Sequence, residues 1–230
     1  MSVINDEEFG AITVRRSARA SQVRIRVAPN GTLRASMPLY APLFLLKRLI
    51  KSSRPQLRKM LADSQPVASY YNGQQVGKSH VILVKSGGNN FRVEKNKQHI
   101  TVWLPEELAL NDPRVTKEIR RVVITALRTE AKSYLPRRLR YLANELGFSY
   151  ESVRFSHASS RWGSCSSNGT ISLNIALMKL PFELIDYVLI HELSHTVEMN
   201  HSTAFWSLVE KGDPHYKAHR RALKDETPSL

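Results

Sequence analysis

The sequence predicts a mixed α+β fold in two parts. A basic, β-rich N-terminal part over residues 1–110 combines antiparallel β-hairpins with a helix, and a domain over residues 111–230 sets a short site helix against a long backing helix and a small sheet. Three observations predict this. Short alternating apolar runs recur in pairs before residue 105. A 3–4-residue apolar period runs from Val115 to Leu142. A second helical run, Leu184, Ile185, Val188 and Leu189, leads into His191-Glu192-Leu193-Ser194-His195, with His201 six residues further on.

Each element follows in order. Residues 1–20 are polar, with an Arg15-Arg16 pair, and read as a loose arm or short edge strand. Val23 to Val27 alternates cleanly, Pro29-Asn30-Gly31 makes a turn, and Leu33, Ala35 and Met37 alternate with Thr32, Arg34 and Ser36, which predicts a hairpin with Arg24, Arg26 and Arg34 on one face. After Pro38, Leu43, Leu46, Leu49, Ile50, Leu57 and Leu61 predict an amphipathic helix over 42–62, kinked near Pro55. Residues 63–78 read as a loop with a short strand. His80 to Val84, the turn at Gly87-Gly88-Asn89-Asn90, Phe91 to Glu94 and His99 to Leu104 read as an antiparallel meander. The order strand, polar turn, strand, proline, helix echoes the first hairpin, an echo of pattern and not of sequence.

From Asp112-Pro113 the period becomes helical, with Pro136 expected to bend or split the helix and Gly147 to cap it. Strands are predicted at Ser152 to Ser156 and Thr170 to Asn174, around the loop Ser159 to Gly169. After the site helix, Ser202 is placed to cap another helix with Phe205, Leu208 and Val209 inside, and Gly212-Asp213-Pro214 ends it.

Composition bounds the function. A hydrophobic content of 42% over 230 residues excludes fibrous and disordered classes. The formal charge is +14, and residues 1–60 hold 12 Lys/Arg against 3 Asp/Glu, contributing +9 of it. That excess points to polyanions, including nucleic acid, as possible partners of the N-terminal part. Cys165 stands alone, which suits a reducing compartment. Residues 1–9 carry three acids and no apolar core of a leader, and no run approaches the roughly 18 apolar residues of a membrane span. The chain therefore reads as cytoplasmic, without a membrane partner.

His191 and His195 fall one turn apart on one helix face, so both imidazoles can reach one ion. A third ligand at His201 requires the helix to stop first, and Asn200 tolerates the left-handed conformation that stops helices. Glu192 lies one residue round, beside the ion and not on it, where a carboxylate can take a proton from zinc-bound water. A chance pentapeptide needs neither an amphipathic helix nor a histidine at the eleventh position of the motif.

The segments Arg161-Trp162-Gly163-Ser164-Cys165-Ser166, Ile171-Ser172-Leu173-Asn174, His191 to His195 and Asn200-His201-Ser202-Thr203-Ala204-Phe205-Trp206 together resemble the YgjP-like metallopeptidases, which are related to the SprT-like and WLM protease domains. The resemblance is loose over 23–37 and close over about 115–224. It implies a minimal zincin-like domain with zinc at His191, His195 and His201 and Glu192 as base. Glu198 stands where the metzincin pattern has glycine, and no Met-turn follows, so the chain departs from that group.

His157, Arg161 and Asn174 are candidates for substrate or oxyanion contacts. Cys165 reads as a small residue in a tight loop, Glu210 as an alternative third ligand, Trp206 as packing under the site, and His215 and His219 as surface residues. The expected function is a zinc-dependent hydrolase acting on peptides or proteins. The alternatives are a metal-dependent nucleotide phosphohydrolase of the nucleoside triphosphate pyrophosphatase type, and a nucleic-acid-associated protease.

Overall fold

The computed structural model describes residues 2–28, 31–62, 70–87 and 90–228, and the chain divides into two compact units, Met1–Ser69 and Tyr70–Leu230. In the first unit, β1 (Ser2–Asp6), β2 (Gly10–Ser17), β3 (Arg24–Val27) and β4 (Leu33–Pro38) form one sheet in the order β1-β2-β4-β3. Residues 2–17 are thus a full hairpin where a loose arm or short edge strand was expected. Ile4, Ile12 and Val14 supply the reason, because they join Leu33, Ala35, Met37, Leu46, Ile50 and Leu57 in one apolar core. The turn is held by the Asp6 carboxylate, which accepts from the N–H groups of Glu8 and Phe9 at 3.0 and 3.1 Å. The predicted β3–β4 hairpin is present, with Arg26 opposite Arg34; Pro29 and Asn30 of its turn lie outside the described residues.

The helix expected over 42–62 is two, α1 (Leu43–Ser52) and α2 (Arg54–Ala62). Pro55 has no N–H to continue the first ladder, so the break falls at Ser53, whose carbonyl accepts from Leu57 as the second helix begins. Arg54 then reaches Asp6 and Glu8, and Arg58 reaches Glu8.

The second unit opens with β5 (Gln75–Val76), β6 (His80–Ser86), β7 (Arg92–Asn96) and β8 (His99–Leu104), ordered β5-β6-β8-β7. This is not the predicted meander, because β8 inserts between β6 and β7 and runs parallel to β6. Ile100, Thr101, Val102 and Leu104 are all buried, so β8 needs cover on both faces and takes a central place, whereas the polar β7 takes an edge. Strand order and strand directions repeat those of the first unit, and a helix follows in both.

That helix, α3 (Pro113–Leu146), runs unbroken through Pro136, which does not split it. Asp112 caps its start by accepting from the Arg114 N–H at 2.7 Å, and left-handed Gly147 (φ 76°) ends it. The Arg137 side chain donates to the Ser133 carbonyl at 2.7 Å, one residue after the Lys132 carbonyl that Pro136 leaves without its N–H donor. Buried Glu130 on α3 accepts from the N–H groups of Lys78 and Ser79 (2.7 and 3.0 Å) and from the Ser79 hydroxyl (2.7 Å), and meets His80 Nδ1. Gly77 (φ 62°) lets the turn come this close, since a Cβ there would run into that carboxylate.

A third sheet, β9 (Ser152–Ser156), β10 (Gly163–Cys165) and β11 (Thr170–Asn174), has the order β10-β11-β9, with β9 parallel and β10 antiparallel to β11. A 3₁₀ turn (Ile175–Lys179), α4 (Phe182–Ser194), α5 (Thr203–Gly212) and α6 (Tyr216–Ala222) complete the unit. One core joins Ile82, Ile100 and Val102 of the β5–β8 sheet to Ile119 and Leu127 of α3 and to Ile185 and Leu189 of α4. The boundary expected at 110/111 therefore falls inside the second unit, because sheet and backing helix bury one another. No described helix is long and apolar enough to cross a membrane.

Candidate metal centre

The run Leu184, Ile185, Val188, Leu189 and Leu193 buries one side of α4, which fixes its rotation and turns His191 and His195 together, their ring centroids 4.9 Å apart. The helix ends at Ser194, earlier than the stop expected at Asn200. No left-handed residue is needed, because the last turn tightens: Thr196 and Val197 donate to the carbonyls of Leu193 and Ser194, and the Thr196 hydroxyl takes the Leu193 carbonyl as well. The chain then turns back, and Ser202 caps α5 by accepting from Phe205 N–H at 3.2 Å. His201 is held just before this cap.

One nitrogen from each of His191, His195 and His201 lies within 4.8 Å of the other two. The Nε2 atoms of His191 and His201 are 3.2 Å apart. Zn–N bonds of about 2.0–2.1 Å at tetrahedral angles separate ligand nitrogens by roughly 3.3 Å, so the pair suits a zinc-sized ion. His195 Nδ1 lies 3.1 Å from the Glu198 carbonyl; donating there, it leaves the Nε2 lone pair free. Beneath the three rings lies Phe205, fully buried, with centroids 5.0, 4.4 and 4.8 Å from His191, His195 and His201. Trp206 stacks on His201 and on Tyr216.

Burial sets the electrostatics. It pushes His191 down to about 3, with His195, His201 and Arg220 adding to the effect, and it lowers His195 too. Both imidazoles are thereby kept neutral, the form that binds metal. Glu192 is 5% exposed, and burial pushes it up to about 8, the charge of Arg161 pulling the other way. Its Oε2 is buried with no hydrogen-bond partner among the described residues. An orphaned carboxylate oxygen beside three imidazoles fits a proton acceptor next to a bound cation, and so does the donor set.

The other predicted residues separate. Arg161 is exposed and within electrostatic reach of Glu192. His157 is exposed and makes no hydrogen bond, ion pair or ring contact among the described residues. Asn174 is fully buried and committed to the protein: its amide donates to the carbonyls of Ala158 (2.6 Å) and Arg161 (2.8 Å), while its oxygen accepts from Ala176 N–H. It clamps the loop carrying Arg161 and has no N–H left for a substrate. Cys165 lies in β10, its thiol pushed up by burial and by Glu192. Glu210 is exposed on α5 and outside the histidine cluster. His215 is exposed, but His219 is half-buried, bound to the Asp213 carboxylate at 2.7 Å.

Two residues escape a sequence reading. A Cβ on Gly163 would lie 2.5 Å from Glu192 Oε1 and 2.7 Å from its Cγ, so this glycine makes room for the carboxylate. Nothing local to Gly163 announces that. Tyr187 is buried one turn before His191, its ring 6.0 Å away and its phenol pushed up to about 12 by burial. Its spacing of four residues from His191 is a signal that was there to read.

No curated protein matches the chain. A solved structure, that of the metallopeptidase zymogen of Pyrococcus abyssi abylysin, is 31% identical over a match covering 39% of this chain and 92% of that one, with a TM-score of 0.36. The family model for the YgjP-like metallopeptidase domain matches residues 21–226, which hold all three histidines and Glu192. The chain belongs to the YgjP-like metallopeptidase family.

Proposed function

We propose that the chain hydrolyses peptide bonds at a zinc ion held by His191, His195 and His201, with Glu192 as general base. The observation that carries this is the convergence of three imidazoles beside a buried carboxylate oxygen that has no partner among the described residues. When bound, zinc supplies Lewis acidity towards a scissile carbonyl and lowers the pKa of water towards about 7. Glu192 accepts the proton of the attacking water at its unpartnered oxygen and returns it to the leaving amine. The exposed guanidinium of Arg161 supplies positive charge for the oxyanion of the tetrahedral intermediate.

Strand β10 is an edge of its sheet. An extended peptide added along it, backbone to backbone, runs past Gly163 and so beside Glu192. The lone thiol, Cys165, suits a cytoplasmic, reducing setting.

The test sets unstructured peptides beside nucleoside triphosphates as substrates of the zinc-loaded protein. Peptide cleavage is expected. Glu192→Gln should keep about one zinc per chain and lose about 10²–10⁴-fold in turnover, whereas His201→Ala should lose the metal. A wild-type rate in Glu192→Gln would remove the base. Triphosphate hydrolysis that needs Glu192, without peptide cleavage, would assign the site to phosphorus chemistry.

A further inference from the structure

We propose that the outer face of the β1–β4 sheet binds the phosphate backbone of duplex nucleic acid. This rests on the first unit alone and not on the chemistry of the metal centre. In register across β2, β4 and β3, Thr13, Arg34 and Arg26 make one row, and Arg15, Ser36 and Arg24 make the next. Paired positions share a face of a sheet. Ile12, Val14, Leu33, Ala35 and Met37 occupy the opposite face and are buried, so Arg15, Arg24, Arg26 and Arg34 share the open one, all four exposed.

The placement is costly to the fold. Arg26 and Arg34 are direct cross-strand partners, and like charges so placed repel. No carboxylate relieves them: Asp6 and Glu8 are taken by Arg54 and Arg58 of α2, and none of the four sheet arginines has an acidic partner among the described residues. Strands about 4.8 Å apart and rows about 6.8 Å apart bring each of the four cations within roughly 10 Å of at least two others. That is close to the Debye length of about 8 Å at physiological salt, so they act as one field.

The rest of the face selects the ligand. Val3, Asn5, Ala11, Thr13, Ser17, Ser36 and Pro38 complete it, and no aromatic ring lies on it. Without a ring there is no platform on which unpaired bases stack. With only Val3 as a large apolar group there is nothing to insert into a bilayer. What remains is a flat, cationic, sequence-blind surface for phosphates already held in order by a duplex.

Fluorescence anisotropy of the full chain with a short labelled DNA duplex of mixed sequence, titrated at several salt concentrations, tests this. Four phosphate contacts give a slope of log affinity on log salt of about −3.6, which is roughly a 150-fold loss between about 50 and 200 mM salt. Arg26→Glu/Arg34→Glu should halve the slope, leaving a loss of about 12-fold. Arg26→Glu alone turns the repelling pair into an attracting one, so it should melt no lower than wild type while binding more weakly. That combination separates a binding role from a structural one. Any of four results would overturn the proposal: no duplex binding at about 50 mM salt, an unchanged slope in the double variant, tighter binding of the single strand, or binding of phosphatidylserine vesicles in place of the duplex.

Discussion

Replacing Gly163 by alanine tests whether the room that it leaves is what positions Glu192, the proposed general base. The added Cβ would stand 2.5 Å from Glu192 Oε1, 2.7 Å from Cγ and 2.8 Å from Cδ, where ordinary contact begins at 3.4 Å, so the side chain must retreat by about 0.7–0.9 Å. Being 5% exposed, it has no solvent to swing into. Overpacking of this kind costs about 1–3 kcal/mol, which at about 2–4 °C per kcal/mol lowers the melting temperature by about 2–12 °C. Misplacing a reacting group by about 1 Å costs up to about 10²-fold, so turnover should fall by about 10–100-fold. The measurements are turnover on the best-cleaved peptide, zinc content and a melting curve. Zinc should stay at the wild-type level, because the three atoms nearest the new methyl all belong to Glu192 and none to a histidine. Shortening the base in Gly163→Ala/Glu192→Asp should restore the melting temperature without restoring turnover. If Gly163→Ala melted within about 1 °C of wild type and turned over at the wild-type rate, the steric reasoning would be refuted.

Two further outcomes follow from buried polar contacts. Hydrogen bonds from Lys78, Ser79 and His80 hold Glu130 below its ordinary value despite a desolvation that pushes it up; its contribution is therefore present above the unfolded carboxyl value of about 4.3 and lost as pH falls through the lower folded one. Glu130→Gln should cost about 1–3 kcal/mol at neutral pH and, in metal-free melts between about pH 5 and 3, lose less stability than wild type; parallel curves would contradict it. Asn174→Ala leaves the carbonyls of Ala158 and Arg161 without their amide donor, so amide exchange over 158–163 should quicken while zinc binding is unchanged; exchange at the wild-type rate would show that the loop does not need the clamp.

Features written within one turn or one strand were legible in the sequence. The alternation of 23–37, the Asp112 cap, the Gly147 stop and the Ser202 cap are each set by a few neighbouring residues, and the histidine spacing needed only a helix and a reversal. Features set by distant segments were not legible. The central place of β8 depends on which strand needs cover on both faces, and that depends on α3 lying against it. The early end of α4 rests on the Thr196 hydroxyl and two short backbone bonds, too weak a pattern to outbid Asn200 in a reading of residue types. Asn174 looked like a site residue because it closes a motif strand, yet its bonds show why a loop beside a reactive centre needs a buried amide. Gly163 had a meaning only once Glu192 was folded against it.

The recurrence of one strand order in both units has an implication for how this chain came to be and how it folds. Each copy closes its sheet and helix around its own separate set of apolar side chains, with no residue in common between the two cores. A segment with that property is a candidate for autonomous folding, and Met1–Ser69 can emerge from the ribosome and collapse before His191, His195 and His201 have been synthesised. Only the second unit continues beyond its helix into the segment after Gly147, which holds the histidine cluster. The first was left free of that constraint. Its surface can therefore serve another task.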